Sequence, residues 1–274
     1  MMMSQEEFLR VSIFLKNKYG IDMTKKKEIV SGRLDNFIRN HDFENYHDFM
    51  NSLEVDDTGE LEKELVNLLT TNHTYFMREP EHFEFLRKEV LPYLKKKEQG
   101  RKDLCIWCAA SSTGEEPYTV AMVLMDFLGL EHEKWDTKVL ATDISTNVLQ
   151  QAVSGVYGAE QISSLPGAWK RRFFRQVSGE DSYMATQELK DQVIFRKFNL
   201  MDRFPFKRKM HVVFLRNVMI YFDEKTKNEL IRKVYDVMEP GGYLFIGQTE
   251  TINREYAPFQ MIRPSIFRKE EGIR

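Results

Sequence analysis

The spacing of hydrophobic positions changes near residue 104, and the change separates two kinds of predicted structure. Before it, apolar residues recur every three or four positions, as on one face of a helix. Beyond it, short continuous apolar runs alternate with helical patterns. Such runs are typical of parallel strands that helices cover on both faces. The pattern therefore predicts an α/β protein with a doubly wound, mostly parallel sheet and an all-α N-terminal domain.

The predicted N-terminal helices carry local start and stop signals. Ser4 and Glu7 have the spacing of a capping box, and Gly20 is a stop signal for the same helix. Thr24 is predicted to cap a second helix, because apolar residues at helical spacing follow it. Two more amphipathic stretches follow, around residues 45–53 and 58–70.

One segment of the second region, at about 166–194, fits neither the strand nor the helix pattern. A turn signal at Ser178–Gly179 separates two partly alternating stretches, which predicts a small antiparallel β insertion. We therefore predict a helical domain over residues 1–80, and a second domain over residues 81–274 that contains the insertion.

Each predicted strand of the second domain ends on a polar residue. The strands are inferred from the runs LCIWCAA, KVLATD, VIFRKFN, HVVFLRN and YLFIGQ. The polar residues at their ends include Asp143, Asn199, Arg216, Asn217 and Gln248. In open parallel sheets the ligand lies at the carboxyl ends of the strands. These polar ends therefore predict a binding site.

Composition and charge narrow the class of protein. The chain has 274 residues, of which 42% are hydrophobic and 30% charged, as in ordinary globular proteins. Its net charge of −2 argues against a general nucleic-acid-binding surface. No apolar run approaches the roughly 18 residues that span a membrane, and the start MMMSQEEFLR has no apolar signal segment. A cytoplasmic protein is therefore expected, with no nucleic-acid partner and no membrane insertion.

The two cysteines, Cys105 and Cys108, lie three residues apart in a predicted strand. Residues at this spacing point to opposite faces of a sheet, so the pair is poorly placed to share a metal or a disulfide. We expect two small hydrophobic residues rather than a redox or metal site.

The stretch CAASSTGEEPY joins a predicted strand to a helix without the glycines of a dinucleotide site. Its glycine is Gly114, and the helix opens on Glu115 and Glu116, whose carboxylates would repel a phosphate and suit a cation. Asp143 ends the next strand, where a carboxylate can accept hydrogen bonds from ribose hydroxyls. S-adenosylmethionine has a sulfonium, an ammonium and a ribose but no phosphate, so the residues favour it over NAD or ATP. Helix-dipole stabilisation is the alternative explanation for the two glutamates.

Charge is also sorted along the N-terminal domain. Residues 16–39 contain seven basic and three acidic residues, whereas residues 40–64 contain one basic and nine acidic residues. Several of the basic residues fall on one flank of the predicted second helix. They are Lys25, Lys26, Arg33 and Arg39. The flank is either a solvated face or a docking surface for an acidic partner.

Six segments, in this order, closely resemble those of the chemotaxis-receptor methyltransferases, the CheR family. They are TNHTYFMREPEHF, CAASSTGEEPYTVA, ATDIS, FNL, LRNVMIYFD and GGYLFIGQTE. The resemblance covers nearly the whole chain and implies a Rossmann-like class I methyltransferase fold. It also implies S-adenosylmethionine as methyl donor, S-adenosylhomocysteine as product, and no metal.

The resemblance further implies roles for the residues that match family motifs. Arg78 and Tyr221 are expected to be catalytic, Tyr221 as the tyrosine next to the transferred methyl group. The expected cofactor-binding residues are Asn72, Thr74, Arg78, Glu116, Asp143, Asn199, Leu200, Arg216 and Asn217. The expected receptor-docking residues are Lys26, Arg33 and Arg39. A structural ion pair for Arg78 and a core aromatic role for Tyr221 remain as alternatives.

The implied reaction is methyl transfer to glutamate side chains on the helical cytoplasmic domain of methyl-accepting chemoreceptors, which gives γ-methyl esters. A glutamate with a pKa of about 4.3 is ionised at pH 7, so the transfer needs alignment rather than a strong base. A monomer is expected. The alternatives are a non-catalytic module that binds S-adenosylmethionine or S-adenosylhomocysteine, an RNA or small-molecule methyltransferase, and, last, a nicotinamide oxidoreductase.

Overall fold

The N-terminal region folds into helices whose apolar faces meet in a shared core. The computed structural model describes residues 3–41 and 43–271. The helices are α1 Gln5–Tyr19, α2 Lys27–Asn40, α3 Tyr46–Glu54 and α4 Glu60–Leu69. Their buried residues, such as Phe8, Leu34 and Phe49, recur at the predicted helical spacing.

The local signals at these helices were predicted with mixed success. The capping box of Ser4 and Glu7 is confirmed, and Gly20 ends α1 in the left-handed conformation with φ 71°. The prediction for Thr24 is wrong, because α2 begins three residues later, at Lys27. The Asp22 carboxylate accepts hydrogen bonds from the backbone N–H and the hydroxyl of Thr24, at 3.0 and 2.6 Å. Thr24 is therefore held in a turn before the helix.

The second region contains the remaining described helices and a large sheet. The helices are α5 Pro80–Phe85, α6 Leu91–Lys97, α7 Glu115–Leu128, α8 Thr146–Ser154, α9 Gly167–Phe173, α10 Gln187–Lys190 and α11 Glu224–Val237. A π-helical turn at Leu86–Val90 joins α5 to α6, and 3₁₀ turns lie at Gly129–Lys134 and Met219–Tyr221.

The described strands form two sheets. They are β1 Ile106–Ala109, β2 Val139–Asp143, β3 Val156–Gly158, β4 Phe174–Gln176, β5 Ser182–Ala185, β6 Val193–Lys197, β7 Met210–Leu215, β8 Met238–Ile246, β9 Phe259–Arg263 and β10 Ile266–Lys269. Within the described residues the main sheet has seven strands, in the order β6-β2-β1-β7-β8-β10-β9. β6, β2, β1, β7 and β8 are parallel, and β10 and β9 add antiparallel pairs at one edge.

The predicted fold class is confirmed by this topology. The sheet is mostly parallel, and the strand order reverses beside β1, whose neighbours are β2 and β7. The small antiparallel sheet is also present, with the order β3-β5-β4. It spans residues 156–185, so it includes β3, which lies before the stretch predicted for the insertion, while β6 belongs to the main sheet.

Side chains that alternate along the strands divide the core between the two faces of the sheet. Trp107 and Val213 belong to a cluster that also contains the core of the N-terminal helices. Cys108 and Phe214 belong to a second cluster on the opposite face, with the apolar residues of α5, α6 and α7. Cys105 packs against the first cluster, and both cysteines are free thiols. The prediction that the cysteines occupy opposite faces is therefore confirmed.

Polar contacts fix the N-terminal helices against the carboxyl-terminal side of the sheet. Lys16 of α1 pairs with Asp223, the N-cap residue of α11, at 2.7 Å. The Asn67 side chain of α4 accepts a hydrogen bond from Ser145 at 2.8 Å and donates to Thr146 at 3.1 Å, at the start of α8. The helical domain is thus held over the strand ends. No helix in residues 3–41 and 43–271 is both long and apolar enough to cross a bilayer.

Candidate active site

A cavity of about 290 Å³ lies between the N-terminal helices and the carboxyl ends of β1, β2, β6 and β7. Its walls also include the end of α1 and the linker that joins the two regions, residues 70–79. The ten residues predicted for catalysis or cofactor binding all line this cavity. The structure therefore brings together side chains that the sequence separates by up to 149 positions, from Asn72 to Tyr221.

The linker places Arg78 in the cavity wall through an unusual backbone. Met77 and Glu79, on either side of it, both have φ of 59°, a left-handed conformation that non-glycine residues rarely adopt. Arg78 Nη1 donates a hydrogen bond to the His73 carbonyl at 2.8 Å. Its guanidinium carbon lies 5.8 Å from the centroid of the Tyr75 ring. These contacts fold the linker back on itself beside the cavity.

Tyr221 also lines the cavity and lies in the 3₁₀ turn after β7. Its hydroxyl lies 3.5 Å from the Thr71 carbonyl, and its own carbonyl accepts a hydrogen bond from the Asp22 N–H at 2.8 Å. Lys26 Nζ lies 5.0 Å from the centroid of its ring. Tyr221 therefore contacts both the linker and the segment that precedes α2.

Asp143, the last residue of β2, is buried at the cavity floor. Its carboxylate accepts hydrogen bonds from the backbone N–H groups of Ser112 at 2.8 Å and Ser145 at 2.9 Å. Burial raises the pKa of Asp143, and these hydrogen bonds oppose that rise. Each carboxylate oxygen has a second lone pair, so the group can still accept hydrogen bonds from a ligand diol.

The two glutamates at the start of α7 have different surroundings. Glu116 lines the cavity, whereas Glu115 is 1% exposed and accepts a hydrogen bond from the Thr113 hydroxyl at 2.6 Å. Gln161, close to the small sheet, lies 3.5 Å from the other oxygen of Glu115. Consecutive helical residues point about 100° apart, and here Glu116 faces the cavity while Glu115 is buried outside its lining. The idea that the pair acts together on a cation is corrected to Glu116 alone.

Arg216 joins Glu116 to the linker in a buried ion-pair cluster. Arg216 Nη1 lies 2.8 Å from Glu116 Oε2, and Nη2 lies 3.3 Å from Glu79 Oε2. Nη2 also donates to the Arg78 carbonyl, and the guanidinium carbon lies 5.4 Å from the Phe83 ring. The Arg216 side chain is only 2% exposed. Arg216 thus connects the end of β7 to the start of α7 and to the linker.

Burial and Arg216 act in opposite directions on the two carboxyl groups. Burial raises the pKa of Glu116, and Arg216 offsets part of the rise. Burial also disfavours ionisation of Glu79, but Arg216 and hydrogen bonds from Asn217 and Gln248 outweigh it, so the pKa of Glu79 is lowered. Two acidic groups thus share one guanidinium, which suits a cationic ligand better than an anionic one.

Among residues 3–41 and 43–271, the buried Glu79 Oε2 of the linker has no hydrogen-bond partner, and neither do two buried polar atoms of residues that line the cavity. They are Arg216 Nε and Ser111 Oγ, and both residues line the cavity. Buried polar groups are ordinarily satisfied, so these two atoms are available to a bound ligand or an ordered water.

The predicted residues at the other strand ends also hold the walls together. Asn199 Nδ2 donates to the Lys18 carbonyl of α1 at 2.8 Å, and its Oδ1 accepts from the Met201 N–H at 3.0 Å. Asn217 has φ of 56°, and its N–H donates to Glu250 at 2.8 Å. Leu200 is buried beside them. Their side chains thus combine a structural role with a place on the cavity surface.

Two groups of site residues were missed by the sequence analysis. Glu250 is buried and accepts hydrogen bonds from the N–H groups of Gly247 and Met219, both at 2.7 Å, which fixes the loop after β7. It lies within the quoted GGYLFIGQTE motif, but no role was inferred for it. Tyr19, Ile21 and Met23 form the cavity wall after α1. No local signal marks this last group, because the contact is tertiary.

The predicted docking residues do not form one flank of α2. Lys25 and Lys26 precede the helix, which begins at Lys27. Arg33 Nη1 donates to the carbonyls of Leu68 and Thr70 at 3.1 and 3.0 Å, so its charge is directed toward the linker. Arg39 is exposed at the end of the helix. The prediction that these four residues share one flank of α2 is therefore wrong, and Lys26 lies beside Tyr221 at the cavity. A docking role for Lys26, Arg33 and Arg39 stays a prediction.

Comparison with known proteins identifies the family. Residues 6–70 match the CheR methyltransferase all-alpha domain, and residues 72–267 match the CheR methyltransferase SAM binding domain. A chemotaxis protein methyltransferase of Borreliella burgdorferi is 38% identical over 271 residues, which cover 97% of this chain and 95% of that protein. The chemotaxis protein methyltransferase of Escherichia coli is 34% identical over 255 residues, covering 92% and 86%. The chain therefore belongs to the CheR family of S-adenosylmethionine-dependent methyltransferases.

Proposed function

We propose that this chain transfers a methyl group from S-adenosylmethionine to glutamate side chains of chemoreceptor cytoplasmic domains, forming γ-methyl esters. The observation that carries the proposal is the approach of Arg78 and Tyr221, from the linker and from the loop after β7, to one cavity that Asp143 and Glu116 also line. The names of the relatives, chemotaxis protein methyltransferases, support the receptor as acceptor.

The cavity residues fit S-adenosylmethionine better than a nucleotide phosphate. Gly114 has φ of 96°, and a Cβ there would lie 2.9 Å from Ala152 Cβ and 3.0 Å from the Tyr157 hydroxyl. This glycine is therefore needed for close packing against α8 and β3 rather than for a phosphate. Asp143 would accept hydrogen bonds from the ribose hydroxyls, and Glu116 would face the positive end of the cofactor. When bound, the cofactor supplies an electrophilic methyl group.

The chain itself would align the acceptor. The Arg78 guanidinium has five N–H donors in a planar fork, a geometry that suits a carboxylate. The hydrogen bond to the His73 carbonyl uses one donor, on Nη1, so the others can bind the acceptor. Arg78 would hold the acceptor carboxylate, and the Tyr221 hydroxyl would donate to one of its oxygens. The linker and the end of α1 would exclude water. Alignment of an ionised acceptor in a closed site accounts for much of such a rate enhancement.

The proposal is tested by incubating the purified chain with methyl-labelled S-adenosylmethionine and a receptor cytoplasmic fragment. The expected result is base-labile label on glutamate residues, located by mass spectrometry. Cofactor binding without transfer would instead favour the non-catalytic signalling module. Label on RNA or on small molecules, with none on the receptor fragment, would favour the other methyltransferase class.

Calorimetry is expected to detect binding of S-adenosylmethionine and S-adenosylhomocysteine, but not of NAD or ATP. Asp143→Ala should weaken cofactor binding by about 1–3 kcal/mol, because it removes a buried acceptor. Asp136→Ala, at the opposite end of β2, is the matched control and should bind normally. Comparable or tighter binding of NAD would contradict the cofactor assignment. If Asp143→Ala binds the cofactor with unchanged affinity, another residue must contact the ribose.

Charge reversal at Arg39 is expected to slow receptor methylation by about two- to fivefold in low salt, since exposed ion pairs are worth up to about 1 kcal/mol. Lys26→Glu should act in the same direction. The effect should shrink in high salt, because exposed charges are screened over about 8–10 Å. Initial rates at several salt concentrations measure this, with Lys138→Glu, at an exposed position directly before β2, as the control. Wild-type rates for Arg39→Glu in low salt would mean that Arg39 is only solvated.

A further inference from the structure

The carboxylate of Glu79 connects the linker to three other elements. Oε1 accepts hydrogen bonds from Asn217 Nδ2 and from the Gln248 N–H, both at 3.3 Å. Oε2 lies 3.3 Å from Arg216 Nη2 and 3.4 Å from His82 Nδ1. The side chain is 11% exposed. One carboxylate thus contacts the ends of β7 and β8 and the first turn of α5.

These contacts surround the backbone of Arg78. The Arg216 guanidinium that pairs with Glu79 also donates to the Arg78 carbonyl. Met77 and Glu79 both have left-handed backbones, which are costly for residues with side chains and persist only where neighbouring contacts hold them. The contacts of Glu79 with Arg216, Asn217 and Gln248 therefore hold the turn that places Arg78 in the cavity wall.

The electrostatic surroundings keep Glu79 charged. Burial opposes ionisation of Glu79, but the Arg216 guanidinium and the hydrogen-bond donors of Asn217 and Gln248 favour the charged form, so the pKa of Glu79 is lowered. Burial, followed by Arg216, lowers the pKa of His82 to about 4, so the imidazole is neutral at pH 7. The cation that pairs with the Glu79 carboxylate is thus Arg216, and His82 is a neutral neighbour.

We propose that Glu79 is a positioning residue for methyl transfer, because its carboxylate holds the left-handed turn that presents Arg78 to the acceptor. The inference rests on the proposed function, in which Arg78 aligns the acceptor carboxylate. Arg78 and Arg216 line the cavity and Glu79 does not, so Glu79 acts through the backbone of Arg78 and through Arg216.

The test uses Glu79→Gln, which keeps the shape and one acceptor oxygen but removes the charge. Single-turnover methylation of a receptor fragment at saturating S-adenosylmethionine should slow at least tenfold, with cofactor affinity changed less than threefold. Glu84→Gln, an exposed carboxylate of α5 that pairs with Lys88, is the control and should keep the wild-type rate. On an Arg78→Ala background, Glu79→Gln should cause no further slowing, since coupled residues give non-additive effects.

Amide hydrogen exchange across residues 72–79 provides a measurement that does not need activity. Exchange there should accelerate in Glu79→Gln and stay unchanged in Glu84→Gln. The inference is overturned by a wild-type rate in Glu79→Gln, by equal slowing on both backgrounds, or by unchanged exchange in the linker. A Glu79→Gln chain that does not fold would also overturn it, because the side chain would then serve the fold. A wild-type chain that never methylates receptor would instead remove the proposed function, and the exchange result would still decide whether Glu79 holds the turn.

Discussion

Replacement of Arg216 by methionine is expected to lower the free energy of unfolding by about 3–5 kcal/mol, the usual cost of removing one partner from a buried ion pair. Arg216 is 2% exposed and lies between Glu79 and Glu116. Methionine fills much of the same volume but leaves two carboxyl groups without their cation. Urea denaturation at pH 7 measures the loss, since the free energy falls linearly with denaturant.

The same variant makes a prediction about pH. In the wild-type chain the pKa of Glu79 is lowered, so its contribution to stability is present above its unfolded pKa and is lost as the pH falls. Without Arg216 the buried carboxyl groups are more stable when protonated, so the variant gains relative stability in acid. The difference in the free energy of unfolding between wild type and variant should therefore become smaller from pH 7 toward pH 5.

An exposed arginine provides the control for this experiment. Arg196→Met, on the exposed side of β6, should change stability by no more than about 0.5 kcal/mol at either pH. If Arg216→Met stays within about 1 kcal/mol of wild type at pH 7, the ion-pair cluster does not hold the linker to the sheet. A constant deficit across the pH range would show that lost packing, rather than charge, is responsible.

The fold was predictable where the signal is local. Ser4, Glu7 and Gly20 act within a few residues of themselves, and each forms the predicted cap or stop. Continuous apolar runs likewise identified β1, β2, β7 and β8, because a buried parallel strand has both faces covered. β6 was identified as well, although it lies at the edge of the sheet and is mostly exposed. The prediction of Thr24 as a helix cap was wrong because its hydroxyl donates to the Asp22 carboxylate instead. A sequence pattern cannot decide between a cap and a turn when both offer local hydrogen bonds.

The sequence predicted which residues form the candidate site better than it predicted which of them contact each other. Physical reasoning from the strand ends selected Asp143, Asn199, Arg216 and Asn217, which line the cavity, and Gln248, which does not. The start of α7 selected Glu116 together with Glu115, and the family resemblance added residues such as Arg78 and Tyr221. Partners that lie more than a hundred positions apart, such as Arg216 and Glu79, could not be inferred, because only the folded chain brings them together. For the same reason Arg33, predicted as a docking residue, was not recognised as a support for the linker.

Loss of the Tyr221 hydroxyl or of the Arg78 fork is expected to slow methyl transfer more than it weakens cofactor binding. Tyr221→Phe keeps the ring that lies beside Lys26 and removes only the hydroxyl. A hydrogen bond to a charged group is worth about 1.5–3 kcal/mol, so the maximal rate should fall roughly ten- to a hundredfold. Arg78→Lys keeps the charge but loses the planar pair of donors, and should recover little activity.

Single-turnover methylation at saturating S-adenosylmethionine separates these effects from binding, and calorimetry measures cofactor affinity in the same variants. Tyr256→Phe and Arg196→Lys, two exposed positions, make the same chemical changes on the surface and should leave the rate unchanged. If Tyr221→Phe transfers methyl at the wild-type rate, its hydroxyl has no role in alignment and the residue is only a wall of the cavity. If Arg78→Lys is fully active, a single positive charge is enough and the acceptor carboxylate is not held at two points. A fall in cofactor affinity as large as the fall in rate would assign both residues to binding, because an interaction made only in the transition state leaves the ground-state complex unchanged.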